Sequence, residues 1–139
     1  MKAISVRQPW AWMIVYGGKN IENRTWKTNY RGNILIHASA GMTGDEWDQA
    51  WNFSANINSD AGRRAALAHL SRKNVQRGGF VGTARIVDCV ESDYSIWFEG
   101  PYGLVLHDVR PIEFVPYTGA LGLFDVPDGI VANIKRIGG

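Results

Sequence analysis

The chain has 139 residues, 45% hydrophobic and 20% charged, with six Trp and a formal net charge of +2. That length suits one domain, 1–139, with a continuous core, and the composition excludes a disordered segment. So weak a net charge neither demands nor excludes a polyanionic partner, and its distribution carries more information.

Residues 1–37 carry six Lys or Arg against Glu22 alone, and residues 60–78 carry five against Asp60. Residues 79–139 carry four against eight acids. A basic face is therefore expected, although a solvated basic helix accounts for residues 60–78 equally well. Met1 to Val6 has no apolar h-region, and Trp10 to Tyr16 is far short of the roughly 20 apolar residues that cross a bilayer. Neither a secretory leader nor a membrane span is expected. Cys89 is the single cysteine, which rules out an intrachain disulfide and agrees with a cytoplasmic location; it reads as a buried strand residue.

Lys2 to Val6 alternates as a short strand. Pro9 then opens a helix to Tyr16, apolar all round, with Gly17-Gly18 as its left-handed stop. Asn20 to Trp26 and Asn33 to His37 read as two strands, joined as a hairpin by a turn near Asn29 to Gly32. Thr43-Gly44-Asp45-Glu46 has the spacing of a capping box, and Trp47, Ala50, Trp51 and Ser54 follow at helical intervals. A further helix is expected from Ala61 to about Lys73, making residues 41–77 a helical insertion. Gly79 to Val90, Tyr102 to Val109 and Pro111 to Val115 read as strands, the prolines marking edges or bends. Pro127-Asp128 opens a last helix with Ile130, Val131, Ile134 and Ile137 on one side. Many short strands without regular strand-helix alternation predict an α+β, mainly β fold, and among these a small barrel.

Gly17-Gly18-Lys19-Asn20-Ile21-Glu22-Asn23-Arg24 satisfies a Gly-x-Lys-x-x-Glu-x-Arg pattern directly after a helix. With Ser5 to Ala11, Trp26, Tyr30-Arg31-Gly32, Ile36 to Ser39, Gly79 to Cys89, Trp97-Phe98, Gly100 to Gly103 and Gly119 to Phe124, the chain resembles the ASCH domain family. Residues 41–77 have no counterpart in that resemblance. It implies a PUA-like small β-barrel with flanking helices, a cleft under the motif's Lys, Glu and Arg, and a role with RNA or nucleosides. One branch of the family removes the acyl group from acetylated cytidine and shares the motif lysine. That branch has threonine at the position of Glu22, so its activity transfers weakly. Arg31, Trp97 and Tyr102 lie in matching segments and are candidate ligand contacts.

The residues support a physical reading of their own. In an extended strand Glu22, Arg24 and Trp26 project to one side, and Lys19 at the preceding turn leans over the same opening. An indole stacks on a base, Arg makes bidentate contacts to phosphate or a base edge, and Glu accepts from an exocyclic amine. The alternative is an ordinary surface ion pair with Trp26 covering the core. Arg7-Gln8-Pro9-Trp10 offers free amides at a helix start for a phosphate or carbonyl oxygen, or else a plain cap with a buried Trp10. His37 is the histidine nearest the opening. No His or Cys spacing suits a metal, and no nucleotide-cofactor motif appears, so no cofactor is expected.

Three function classes follow. The first is a module binding RNA, single-stranded nucleic acid or a modified nucleoside in a basic, aromatic-lined cleft. The second is a small metal-independent hydrolase of an acylated nucleoside or of RNA, in which a desolvated Lys19 relays protons or stabilises an oxyanion and Glu22 activates water. The third is an adaptor whose Trp-rich helix, Trp47 to Ala55, docks a protein.

Overall fold

The structure, a computed structural model, describes residues 1–57 and 70–137. Strands β1 (Lys2–Val6) and β3 (Gly32–Ala38) pair in parallel. Side chains along a strand alternate between faces, so Ile4, Val6, Ile34 and Ile36 enter one apolar cluster while Ala3 and Leu35 enter another. Helix α1 (Trp10–Tyr16) covers the first cluster through Ala11 and Ile14. Its stop is Gly18, whose φ of 78 lies in the left-handed region, where glycine meets no side-chain clash.

The remaining strands are β2 (Ile21–Arg24), β4 (Gly79–Val90), β5 (Tyr102–Pro116) and β6 (Leu123–Asp125). They form one sheet in the order β2-β5-β4-β3-β1-β6, antiparallel except between β1 and β3. Arg24, on the first strand of that order, hydrogen-bonds the main-chain oxygen of Ser5, on the fifth. Such a bond requires the sheet to curl back on itself. Six strands make a half-barrel with flanking helices, an α+β arrangement that is mainly β and agrees with a PUA-like fold.

The expected hairpin of β2 with β3 does not form. β2 pairs with β5 instead, Glu22 opposite Leu104 and Arg24 opposite Tyr102. Asn23 promotes this pairing: its Nδ2 donates to the Trp97 carbonyl at 2.9 Å, and its Oδ1 accepts from the amides of Glu99 and Gly100, the loop that leads into β5. The two strands expected around Pro111 are one bent strand, with register shifts against β4 and a positive φ at Asp108. Cys89, on β4, is half-buried rather than buried.

Helix α2 (Gly44–Ile57) begins as the capping spacing predicts, the amide of Glu46 donating to Thr43 Oγ1 at 3.1 Å. Trp47 is 6% exposed and stacks on Trp51, which is half-buried, so the first of these two tryptophans is taken up by the core rather than offered to a protein partner. Of the helix expected from Ala61 to Lys73, residues 61–69 lie outside the described residues, and Leu70 to Lys73 are not helical. The last helix, α3, is only Asp128–Val131. Beyond it the chain pairs with β5 instead, Arg136 bridging Ile112 and the Lys135 carbonyl accepting from the Glu113 amide at 2.8 Å; Ile137 is exposed. Among the described residues, no helix is long and apolar enough to cross a membrane.

Candidate functional site

The curl of the sheet leaves a cavity of about 1290 Å³ between β2, the end of β1 and the loop that follows β5. At its base lies the motif. Lys19 is 4% exposed and Glu22 8%. The lysine donates to the Ile21 carbonyl and faces Glu22 Oε1 at 3.4 Å. Arg24 grips the other carboxylate oxygen through Nε at 3.1 Å and Nη2 at 2.9 Å. Glu22 is thus clamped between two cations, which compensates its burial. Loss of solvation pushes the Lys19 ammonium below its ordinary value, and the Glu22 carboxylate opposes that shift.

Aromatic rings frame the cavity. Trp10, Phe53 and Trp97 meet edge to face, with centroids 5.8 to 6.4 Å apart, and Lys19 Nζ lies 5.6 Å from the Trp10 ring. Arg24 lies over Trp26 at 5.8 Å. On the opposite side His37, 1% exposed, donates from Nε2 to the Tyr117 carbonyl at 2.7 Å and shares a 2.9 Å bond between Nδ1 and Ser5 Oγ. That chain of bonds ties the loop after β5 to β1 and β3.

Eight of the twelve residues expected from sequence line this cavity: Arg7, Trp10, Lys19, Glu22, Arg24, Trp26, His37 and Trp97. The other four lie elsewhere. Gln8 is buried as an internal cap, its Oε1 accepting from the Trp12 amide at 3.0 Å and its Nε2 donating to the Gln76 carbonyl. Pro9 is fully buried. Arg31 turns outward, donating to the carbonyls of Thr28 and Tyr30 and facing Asp88 at 3.6 Å. Tyr102 sits opposite Arg24 in the ladder and is not part of the lining.

The helix start is not a free amide nest. The amides of Ala11, Trp12 and Met13 are taken by Arg7 O, Gln8 Oε1 and Pro9 O. The lining is also less basic than the charge distribution suggests: Arg7, Lys19 and Arg24 stand against Glu22 and Glu99. Among the described residues, no three His, Cys, Asp or Glu side chains come together to hold a metal.

Sequence reasoning missed Phe53, Asn23 and the loop from Pro116 to Gly122, all of which line the cavity. Phe53 lies on α2, in the segment set aside as an insertion. Asn23 alternates away from Glu22 and Arg24 along the strand. The glycines of the 119–122 loop belong to a segment that carried the resemblance, which was the one available signal.

This combination of half-barrel and motif-lined cavity defines a PUA-like domain, and residues 4–115 match the ASCH domain. The chain belongs to the ASCH domain family, a membership consistent with RNA binding. Over 37 residues, 27% of this chain, it is 49% identical to Activating signal cointegrator 1 of Homo sapiens. That match covers 6% of the human protein's length.

Proposed function

We propose that the cavity holds one unstacked nucleotide of a single-stranded RNA. The observation that carries this reading is the clamped Lys19, Glu22 and Arg24 cluster inside an aromatic-framed cavity of about 1290 Å³. Small-molecule pockets run from roughly 300 to 1,000 Å³, so the space suits a base together with flanking sugar and phosphate. Indole faces supply sequence-tolerant stacking, and Arg24, whose Nε and Nη2 hold Glu22, has Nη1 to offer a base edge or phosphate.

The test is fluorescence anisotropy with a labelled single-stranded RNA of nine nucleotides, at 50 and 200 mM salt, on wild type and W26A. Tighter binding at low salt is expected, with W26A weakened by the roughly 1–3 kcal/mol that one stacked base contributes. Absence of low-salt binding, or a W26A variant with full affinity, refutes the reading.

A second reading, hydrolysis of an acyl group from a modified nucleoside, is favoured by the buried pair of Lys19 and Glu22 at the base of the cavity, 3.4 Å apart, a carboxylate and an amine side by side that can activate water and stabilise an oxyanion. Release of acetate from acetylated cytidine, lost in K19M, is the expected signature. No release by the wild-type chain, or equal release by K19M, removes it.

A further inference from the structure

Lys19 and Arg24 are both committed to Glu22 at the base of the cavity. Arg7 is the third cation of the lining, and its situation differs. Its side chain is 53% exposed, and Nη1 alone holds both carboxylate oxygens of Glu46, at 3.0 and 3.1 Å. Glu46 stands at the third position of a capping box, where such a side chain ordinarily folds back to the cap residue's own amide. Here it reaches out to Arg7 instead.

Two more guanidinium groups follow the same stretch of chain. Arg77 donates from Nη1 to the Ala40 carbonyl at 3.0 Å. Arg72 lies against Gly44, where an added Cβ would stand 2.7 Å from its Nη1; at Gly41 the corresponding distance to Arg7 Nη1 is 3.4 Å. Three arginines thus track one rim segment from Ala40 to Glu46, and Ala40 itself lines the cavity. The acids of that neighbourhood are Asp45, Glu46 and Asp48, of which Asp45 and Asp48 are exposed.

We propose that Arg7, Arg72 and Arg77 form a phosphodiester-binding track leading out of the cavity, in which Glu46 occupies Arg7 until an RNA phosphate replaces it. This rests on the nucleotide-binding reading above and adds where the strand leaves the site. An exposed carboxylate-guanidinium pair contributes little stability in water. A phosphate tethered to a base already in the cavity arrives at high effective concentration and offers Arg7 a two-point contact. The exchange makes the domain select a strand over a free nucleoside, since the nucleoside brings no phosphate to displace Glu46.

The experiment measures a labelled nine-nucleotide single-stranded RNA and, separately, free cytidine against wild type, R7Q, R77Q, E46Q and D48N, with folding checked by circular dichroism. E46Q is expected to bind the RNA about three- to tenfold more tightly, with cytidine binding unchanged. D48N, a charge removed from the same helix without an arginine partner among the described residues, should change RNA affinity less than twofold. R7Q and R77Q should each reduce the slope of log affinity against log salt by about 0.7, the contribution of one phosphate contact on a single strand. An unchanged E46Q, an equal gain in D48N, or an unaltered slope in R7Q overturns the proposal. Loss of RNA affinity in R7Q with none in W26A keeps the track and removes base stacking. A wild-type chain that binds no RNA at low salt overturns both.

Discussion

Arg24, on β2, donates to the main-chain oxygen of Ser5, on β1, while its Nε and Nη2 also grip the Glu22 carboxylate. One guanidinium therefore performs two tasks, neutralising the buried carboxylate and joining the two sides of the half-barrel above the cavity. This coupling of charge to curvature makes the motif arginine a structural residue as well as a candidate ligand contact.

Replacing it tests that double role. R24Q leaves Glu22 with Lys19 alone and releases Ser5 O, and it is expected to cost about 2–3 kcal/mol of stability, in the range of a lost charge-assisted contact at a partly buried site. R24K keeps the charge but not the planar two-point grip, and should recover less than half of the loss. Denaturant titration measures both. Equal stability of R24K and wild type would show that charge alone matters.

Lys19 makes the fold sensitive to alkaline pH. Its folded-state pKa lies below the ordinary 10.5 because burial removes its solvation. Between that lowered value and 10.5 the unfolded chain binds more protons than the folded chain, so this residue's contribution to stability rises with pH. K19M lacks that contribution. The Tm of wild type minus that of K19M, measured in steps towards pH 10.5, is expected to increase. A difference that is flat or falls with pH contradicts the assignment.

Gly119 packs where no side chain fits. An added Cβ would stand 2.5 Å from Ser5 Oγ and 2.7 Å from His37 Cε1, so G119A must push the loop after β5 away from the ring that anchors it. A cost of about 1–3 kcal/mol is expected, together with weakened ligand binding. Gly129, on α3, has open space around the same position. G129A therefore serves as a control, neutral or stabilising by up to ~1 kcal/mol. Matching behaviour of the two variants in thermal melts would argue against a tethered loop.

Trp47 is 6% exposed and stacked on Trp51 at 5.6 Å. W47A should cost about 3–5 kcal/mol through the cavity it leaves, measured as a fall in Tm. A variant as stable as wild type would return this helix to consideration as a partner-binding surface.

The strands at Lys2 to Val6 and Gly79 to Val90 match the structure end for end. They were legible because alternation, in the first, and a run of β-forming residues, in the second, are local properties of the chain. The capping spacing at Thr43 placed the start of α2 for the same reason. Pairing was not legible. β2 finds its partner about eighty residues downstream through Asn23, and no local pattern reports a contact of that separation. The last helix was overestimated because the apolar spacing of Ile130, Val131 and Ile134 serves packing on Phe80 and Ile112, while the backbone beyond Val131 pairs with β5.

By itself the sequence determined the class of fold, the placement of most strands and a compact motif whose lysine, glutamate and arginine stand three and two residues apart. The two-residue spacing puts Glu22 and Arg24 on one side of β2, a consequence of backbone geometry alone, while Lys19 reaches Glu22 from the turn before the strand. Only the tertiary structure decided that Gln8, Pro9, Arg31 and Tyr102 stay outside the cavity, and that Phe53, Asn23 and the 116–122 loop enter it. The physical reason is that a concave site is built from surfaces of elements distant in the chain. Which surfaces meet depends on how far the sheet curls, and that is settled by bonds such as the one from Arg24 to Ser5.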